Sequence, residues 1–184
     1  MTADPILDAA VRYSARGWAV HPLRLDDAGF AKVAIVPKWQ ELRPEDAPEL
    51  PWEQAAGIGI IGGANSHGLA FLDIDDAELA CEVMAWCCEH IRPVPQMAWT
   101  ARGRLHVYCQ EPEPPPKQAP TPTRKLNLLW RERSVLVELR ATGAYVAAPP
   151  SPGYAWCDLE WLPWPSPLAA AWWQISHGLG VTWP

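Results

Sequence analysis

Two aspartates one residue apart, Asp73 and Asp75, close the apolar run Leu69-Ala-Phe-Leu-Asp-Ile-Asp75. Residues i and i+2 of a strand project from the same face, so both carboxylates can converge on a single cation. Carboxylates that face together repel, and burying them unpartnered is costly, so a metal ion or a basic group is expected beside them. Hard oxygen donors favour Mg²⁺ or Mn²⁺ over zinc. A bare Asp-x-Asp also fits a strand end emerging into solvent, where Asp73, Asp75 and Asp76 simply cap the helix that follows. A third acid, Glu138, weighs against that, because it lies inside Val135-Leu-Val-Glu-Leu139, between residues too apolar for a solvated strand. Three acids on two strands make a two-metal cage.

His106 stands in the short strand Leu105-His-Val-Tyr-Cys109, just past a turn that holds Arg102 and Arg104. Alone, a strand histidine is a satisfied structural residue. Beside arginines and a carboxylate cage it is a candidate for holding a triphosphate, whose oxygens need fixed donors. Gly57-Ile-Gly-Ile-Ile-Gly62 has the spacing G-x-G-x-x-G, but a turn and a strand follow it instead of a helix. These glycines therefore read as a hairpin and its turn, not as a dinucleotide site.

The elements that must position these groups follow from pattern. Asp4-Pro5 opens a helix with its stripe at Ile6, Ala9, Ala10 and Tyr13, stopped at Gly17. Trp18 to Pro22 reads as a short strand, and Leu23 to Pro51 as mostly loop, with Lys32 and Trp39 standing out. After Asp76 the spacing of Ala80, Val83, Met84, Cys87 and Ile91 predicts a helix ending near His90 to Pro93. Met97 to Thr100 and Leu105 to Cys109 form a second hairpin, a proline-rich connection runs from Glu111 to Pro122, and strand texture returns at 135–139 and 145–148. Ser166-Pro167 starts a last helix, with its stop at Gly178. Hairpins mixed with helices indicate an α+β sheet covered on one face.

Composition sets the outer limits. The chain has 184 residues, 49% of them hydrophobic, enough to bury one core or two small packed lobes. Its five cysteines, Cys81, Cys87, Cys88, Cys109 and Cys157, lack zinc-ribbon spacing and read as reduced, mostly buried thiols. No apolar run is long enough to span a membrane and the N-terminus lacks the order of a signal peptide, so the expected compartment is the cytoplasm. A net charge of -6 argues against tight sequence-independent binding to nucleic acid but leaves room for a local basic groove. The late tryptophans Trp156, Trp161, Trp164, Trp172 and Trp173 read as core or as a docking surface.

Taken in order, these pieces resemble the archaeo-eukaryotic primase superfamily, specifically the N-terminal bifunctional DNA primase/polymerase (Prim-Pol) domain of plasmid, phage and other mobile-element replication proteins. That family has an apolar strand ending in Asp-x-Asp or Asp-x-Glu, then small-x-His, then an apolar residue followed by an acid. The counterparts are Phe71-Leu-Asp-Ile-Asp75, Arg104-Leu-His106 and Val137-Glu138. Flanking text agrees, including Gly17-Trp18, Lys32 with Trp39, and Arg140 to Tyr145 leading into Ala148-Pro-Pro-Ser151; the resemblance spans residues 5 to 156.

The resemblance implies an RNA-recognition-motif-like catalytic core with a smaller N-terminal α/β lobe, over residues 1–160, followed by a Trp-rich helical extension over 161–184. It implies a template-dependent nucleotidyltransferase, a DNA primase and polymerase, acting on a DNA template and primer with nucleoside triphosphates and no membrane. Asp73, Asp75 and Glu138 would bind two Mg²⁺ or Mn²⁺ ions. His106 would contact the triphosphate, with Arg104, Arg140 and Lys32 as further nucleotide-binding candidates. A replicative helicase is the expected protein partner. Two departures bear on the site: Arg104 stands where the family has a small residue, and Glu138 replaces the more frequent Asp, moving the carboxylate by ~1.5 Å. An alternative is a catalytically inactive module of the same fold that binds nucleotides or docks a helicase; a third reading gives the acids metal-dependent phosphodiester hydrolysis.

Overall fold

A computed structural model describes residues 4–111, 123–157 and 162–184. Helix α1 (Pro5–Ser14) is capped by Asp4, whose side chain accepts from the Ile6 N–H at 2.9 Å. Strands β1 (Val20–Leu25), β2 (Ala31–Ala34), β3 (Gly57–Ile61) and β9 (Tyr145–Ala148) form a four-stranded antiparallel sheet in the order β2-β1-β3-β9. Strands β4 (Leu69–Ile74), β5 (Met97–Trp99), β6 (Leu105–Gln110), β7 (Arg124–Trp130), β8 (Arg133–Arg140) and β10 (Ala155–Trp156) form a six-stranded one in the order β10-β5-β6-β4-β8-β7. Helices α2 (Ala77–His90) and α3 (Leu168–Leu179) complete an α+β architecture.

Period-two alternation along β4, β6 and β8 divides the larger sheet into two unlike faces. Ala70, Leu72, Ile74, Leu105, Val107, Val137 and Leu139 point one way and pack with Leu79, Val83 and Cys87 of α2 and with Leu168, Trp172 and Ile175 of α3. Phe71 and Tyr108 point the other way, into a second core with Trp18, Ile58, Ile60 and Val146 that joins the two sheets. Farther along that same face the side chains turn polar. There Asp73, His106 and Glu138 continue the series begun by Phe71 and Tyr108.

Several expectations are corrected. Residues 23–51 are not mostly loop: β1 runs on to Leu25 and turns back as β2, and short 3₁₀ turns fill Trp39–Glu41 and Pro44–Glu49. The glycines of 57–63 do not make β3 a hairpin partner of β4, since β3 pairs with β1 and β9 while β4 belongs to the other sheet, although an isolated antiparallel Gly63–Leu69 bridge closes the turn between them. Gly62 and Gly63 instead let two sheet-to-sheet crossings touch: a Cβ on Gly62 would fall 2.8 Å from the Ala141 carbonyl oxygen, and Gly63 has φ +89°. The larger sheet is covered on both faces, by helices on one and partly by the smaller sheet on the other. Helix α3 ends at Gly180, in the left-handed region, and not at Gly178, which lies where α3 passes Trp86 of α2.

Trp164 and Trp172 are core, Trp173 is exposed, and Trp161 and most of the proline-rich connection lie outside the described residues. Cys87 and Cys109 are buried, Cys88 and Cys157 half-buried and Cys81 exposed. Among the described residues no helix is long and apolar enough to cross a membrane.

His21 is wholly buried in β1, stacked on Trp39 with ring centroids 5.3 Å apart and meeting the Tyr145 ring edge-on at 4.4 Å. Gly59 opposite it must lack a side chain, because a Cβ there would lie 2.5 Å from His21 Nε2. Burial pushes the His21 pKa down to about 4, with the Pro22 main chain opposing. A lowered folded-state value means that neutral His21 supports the fold above its ordinary value of about 6.5, and that this support is lost as pH falls toward 4. Stability measured by urea unfolding is therefore expected to fall by a few kcal/mol between those limits; His21→Phe should flatten that slope, and an equally steep slope in the variant would exclude His21 as its source.

Candidate active site

A cleft of about 650 Å³ opens on the polar end of the larger sheet's inner face and is lined from both sheets. Antiparallel register places its acids. Asp73 on β4 lies directly opposite Glu138 on β8 and directly opposite His106 on β6, and Glu138 in turn faces Lys125 on β7. Asp75 follows on the same face, just beyond the end of β4, while Asp76 caps α2 by accepting from the Leu79 N–H at 2.9 Å. The capping expectation thus holds for Asp76, whereas Asp73 and Asp75 both line the cleft.

Asp73 and Glu138 are only 7% and 4% exposed, so their charges must be met locally. Arg140 meets both: its Nη2 is 2.6 Å from Glu138 Oε2, and its Nε is 2.9 Å from Asp73 Oδ2, a charge contact without hydrogen-bond alignment. Lys125 Nζ is 2.9 Å from Glu138 Oε1, and His106 Nε2 is 3.5 Å from Asp73 Oδ1. Arg104 Nη1 donates to Asp75. Burial alone would raise the Asp73 carboxyl, but His106 and Arg140 outweigh it and hold its pKa below the ordinary value. Asp75 goes the other way, raised by burial and by the charges of Asp73 and Glu138, with Arg104 opposing. Two acids on one face thus titrate apart.

Around this floor stand Phe30, Tyr145 and Tyr154, with Arg102 and Lys32 at the rim. The Arg102 guanidinium sits 4.5 Å over the Phe30 ring and Lys32 Nζ 5.1 Å over it. Tyr154 lies 6.1 Å from the His106 ring, and its phenol is raised by burial and by Asp73, which keeps its proton. Three carboxylates face five cationic side chains, Lys32, Arg102, Arg104, Lys125 and Arg140, so the cleft carries surplus positive charge on a chain of net charge -6. That balance suits a polyanion lying over the acids.

The sequence matches the family model for the N-terminal domain of bifunctional DNA primase/polymerases over residues 10–172. The chain belongs to this family. A search of curated proteins found no match. Within this primase/polymerase domain the fold brings all seven sequence-predicted residues to one cleft: Asp73, Asp75, Glu138, His106, Arg104, Arg140 and Lys32. It places Arg104 and Arg140 on the acids and Lys32 at the rim. Sequence reasoning missed Lys125, Phe30 and Tyr154. The alternation Leu126, Leu128, Trp130 was the signal that could have revealed β7 and with it Lys125.

The donors also bear on a metal. Asp73, Asp75 and Glu138 supply the hard oxygens that Mg²⁺ or Mn²⁺ requires, and the carboxylates sense one another electrostatically. As placed, basic side chains stand among them, and no three His, Cys, Asp or Glu groups among the described residues converge closely enough to hold an ion. The donor set fits in type, while Arg104 on Asp75, Arg140 on Asp73 and Glu138, and Lys125 on Glu138 occupy the positions an ion would take.

Proposed function

We propose that this domain catalyses template-directed nucleotidyl transfer, as a DNA primase, a DNA polymerase or both, in the replication of a plasmid, phage or other mobile element. The observation that carries the reading is the convergence of Asp73, Asp75 and Glu138 on one face, beneath a ring of cationic side chains. In this reading the larger sheet is the RNA-recognition-motif-like catalytic core and the smaller sheet with α1 is the N-terminal lobe, acting in the cytoplasm. Asp73, Asp75 and Glu138 would hold two Mg²⁺ or Mn²⁺ ions, which would supply Lewis acidity to a primer 3′-hydroxyl and charge neutralisation to the incoming triphosphate.

The chain's own residues do the rest. His106, which lines the cleft with its Nε2 against Asp73 and its Nδ1 buried without a partner, would donate to the triphosphate. Arg102 and Lys32 add positive charge at the rim, and Arg104 joins them once it leaves Asp75. The 3′-oxygen attacks the α-phosphorus and pyrophosphate departs along this cationic side. Positioning and fixed charge supply most of the rate in such chemistry.

In this reading Arg104 competes with a divalent ion for Asp75. Removing it in Arg104→Ala is expected to tighten Mn²⁺ binding several-fold in the absence of nucleotide, read by electron paramagnetic resonance of free Mn²⁺. Equal affinity in wild type and variant would show that Arg104 does not compete for Asp75.

The basic side chains lodged among the acids favour a second reading, a nucleotide-binding module of the same fold without turnover. Isothermal titration with a nucleoside triphosphate separates the two. Binding that strengthens with Mn²⁺ supports the enzyme; binding indifferent to Mg²⁺ and Mn²⁺ supports the module.

A further inference from the structure

We propose that a groove along the outer edge of the smaller sheet binds single-stranded nucleic acid, with a base stacked on Trp39 and phosphates on Lys32 and Lys38. The groove, of about 640 Å³, follows β2 and the residues after it, and shares Lys32, Trp39 and Tyr145 with the catalytic cleft. The two depressions therefore adjoin at these three residues. β2 is an edge strand, so the groove lies on the outside of the fold, where a strand can enter from solvent.

Charge and shape select the ligand. The charged residues that line the groove, among the described ones, are Lys32 and Lys38, and the intervening residues are small or aliphatic, such as Val33, Ala34 and Val36. On a chain of net charge -6 such a stretch is a local exception, complementary to a phosphate backbone. Trp39 supplies the flat partner that a base requires. Its indole is half-buried and held from within: His21 stacks against it at 16° between planes, and Tyr145 abuts it at 4.7 Å and 82°. His21 is itself wedged against Gly59, so Trp39 loses little freedom on binding. A platform flanked by lysines is sequence-tolerant and needs unpaired bases, because a duplex keeps its π-faces stacked internally. Of the described late tryptophans, Trp164 and Trp172 are buried, and no lysine accompanies exposed Trp173 in its helix.

Identifying this strand as the template rests on the nucleotidyltransferase reading; its binding does not. The test is fluorescence anisotropy of a labelled oligothymidylate with the full chain, at low salt and in EDTA, so that no divalent ion contributes. Trp39→Ala is expected to weaken binding about tenfold or more. Trp39→Phe, which keeps a stacking face, should lose much less, and Lys38→Ala should lower the slope of log affinity against log salt by about one. No binding by the wild type overturns the proposal, as does unchanged affinity in both Trp39→Ala and Lys38→Ala. Strand binding that responds as expected in a protein that incorporates no nucleotide would sustain the groove and overturn the nucleotidyltransferase reading alone.

Discussion

Asp75→Asn is expected to lower template-dependent nucleotide incorporation by about a thousandfold or more while leaving the fold intact, as measured by primer extension beside circular dichroism and thermal unfolding. The size of the loss follows from what the substitution removes: one of three carboxylates whose combined charge binds the divalent ions. The neutrality of the fold follows from geometry. Asp75 lies past the end of β4 and is partly exposed, and its ion pair with Arg104 is partly exposed as well, worth at most about 1 kcal/mol. Its carboxyl is also raised by burial and by Asp73 and Glu138, so ionised Asp75 is disfavoured in the folded chain. A raised acid costs stability as pH rises through its folded value. At neutral pH the variant should therefore match the wild type in stability or exceed it slightly. A variant that keeps full activity would remove Asp75 from the catalytic set; a variant that unfolds would show that its role is structural.

Arg140→Gln is expected to destabilise the metal-free protein by about 3 kcal/mol, the low end for breaking a buried ion pair, since Lys125 and His106 still face the abandoned acids. Among the described residues Arg140 is the one cation that touches both Asp73 and Glu138, which sit directly opposite each other across two strands. Without it the two acids repel in a nearly closed environment. Asp73 is held below its ordinary value despite burial, with His106 and Arg140 both lowering it, so its ionised form contributes stability above the ordinary carboxylate range of about 4, lost as pH falls through the lower folded value. The penalty of the variant should accordingly be largest at neutral pH and shrink in acid. Divalent ions should restore it: adding Mn²⁺ or Mg²⁺ should raise the thermal midpoint of Arg140→Gln by more than that of wild type, by mass action on the folded state. Equal shifts would mean that Asp73 and Glu138 do not bind the ion.

The site was legible in sequence to the extent that chemistry and period coincide. Asp73 and Asp75 on an apolar strand, Glu138 between Val137 and Leu139, and His106 within Leu105-His-Val are each out of place for packing. The register that makes Asp73 the neighbour of both Glu138 and His106 is long-range and leaves no local trace. For the same reason Arg104 could be recognised as misplaced but not assigned to Asp75. Strand β7 was hidden by the proline-rich stretch before it, and Lys125 with it. The split into two sheets was illegible because β3 and β4 look like hairpin partners across Gly62 and Gly63, and only close approach to residues 141–142 reveals why the chain crosses there. β2 lay in a short, mixed segment whose strand character depends on pairing with β1.

The most direct test of the account is extension of a labelled primer on a DNA template by the purified chain, with Mn²⁺ and deoxynucleoside triphosphates. Products lengthened one nucleotide at a time, dependent on template and metal, are expected. No extension under any template, nucleotide or divalent ion, by a chain that still binds nucleoside triphosphate, would contradict it and leave the nucleotide-binding module as the function of this fold.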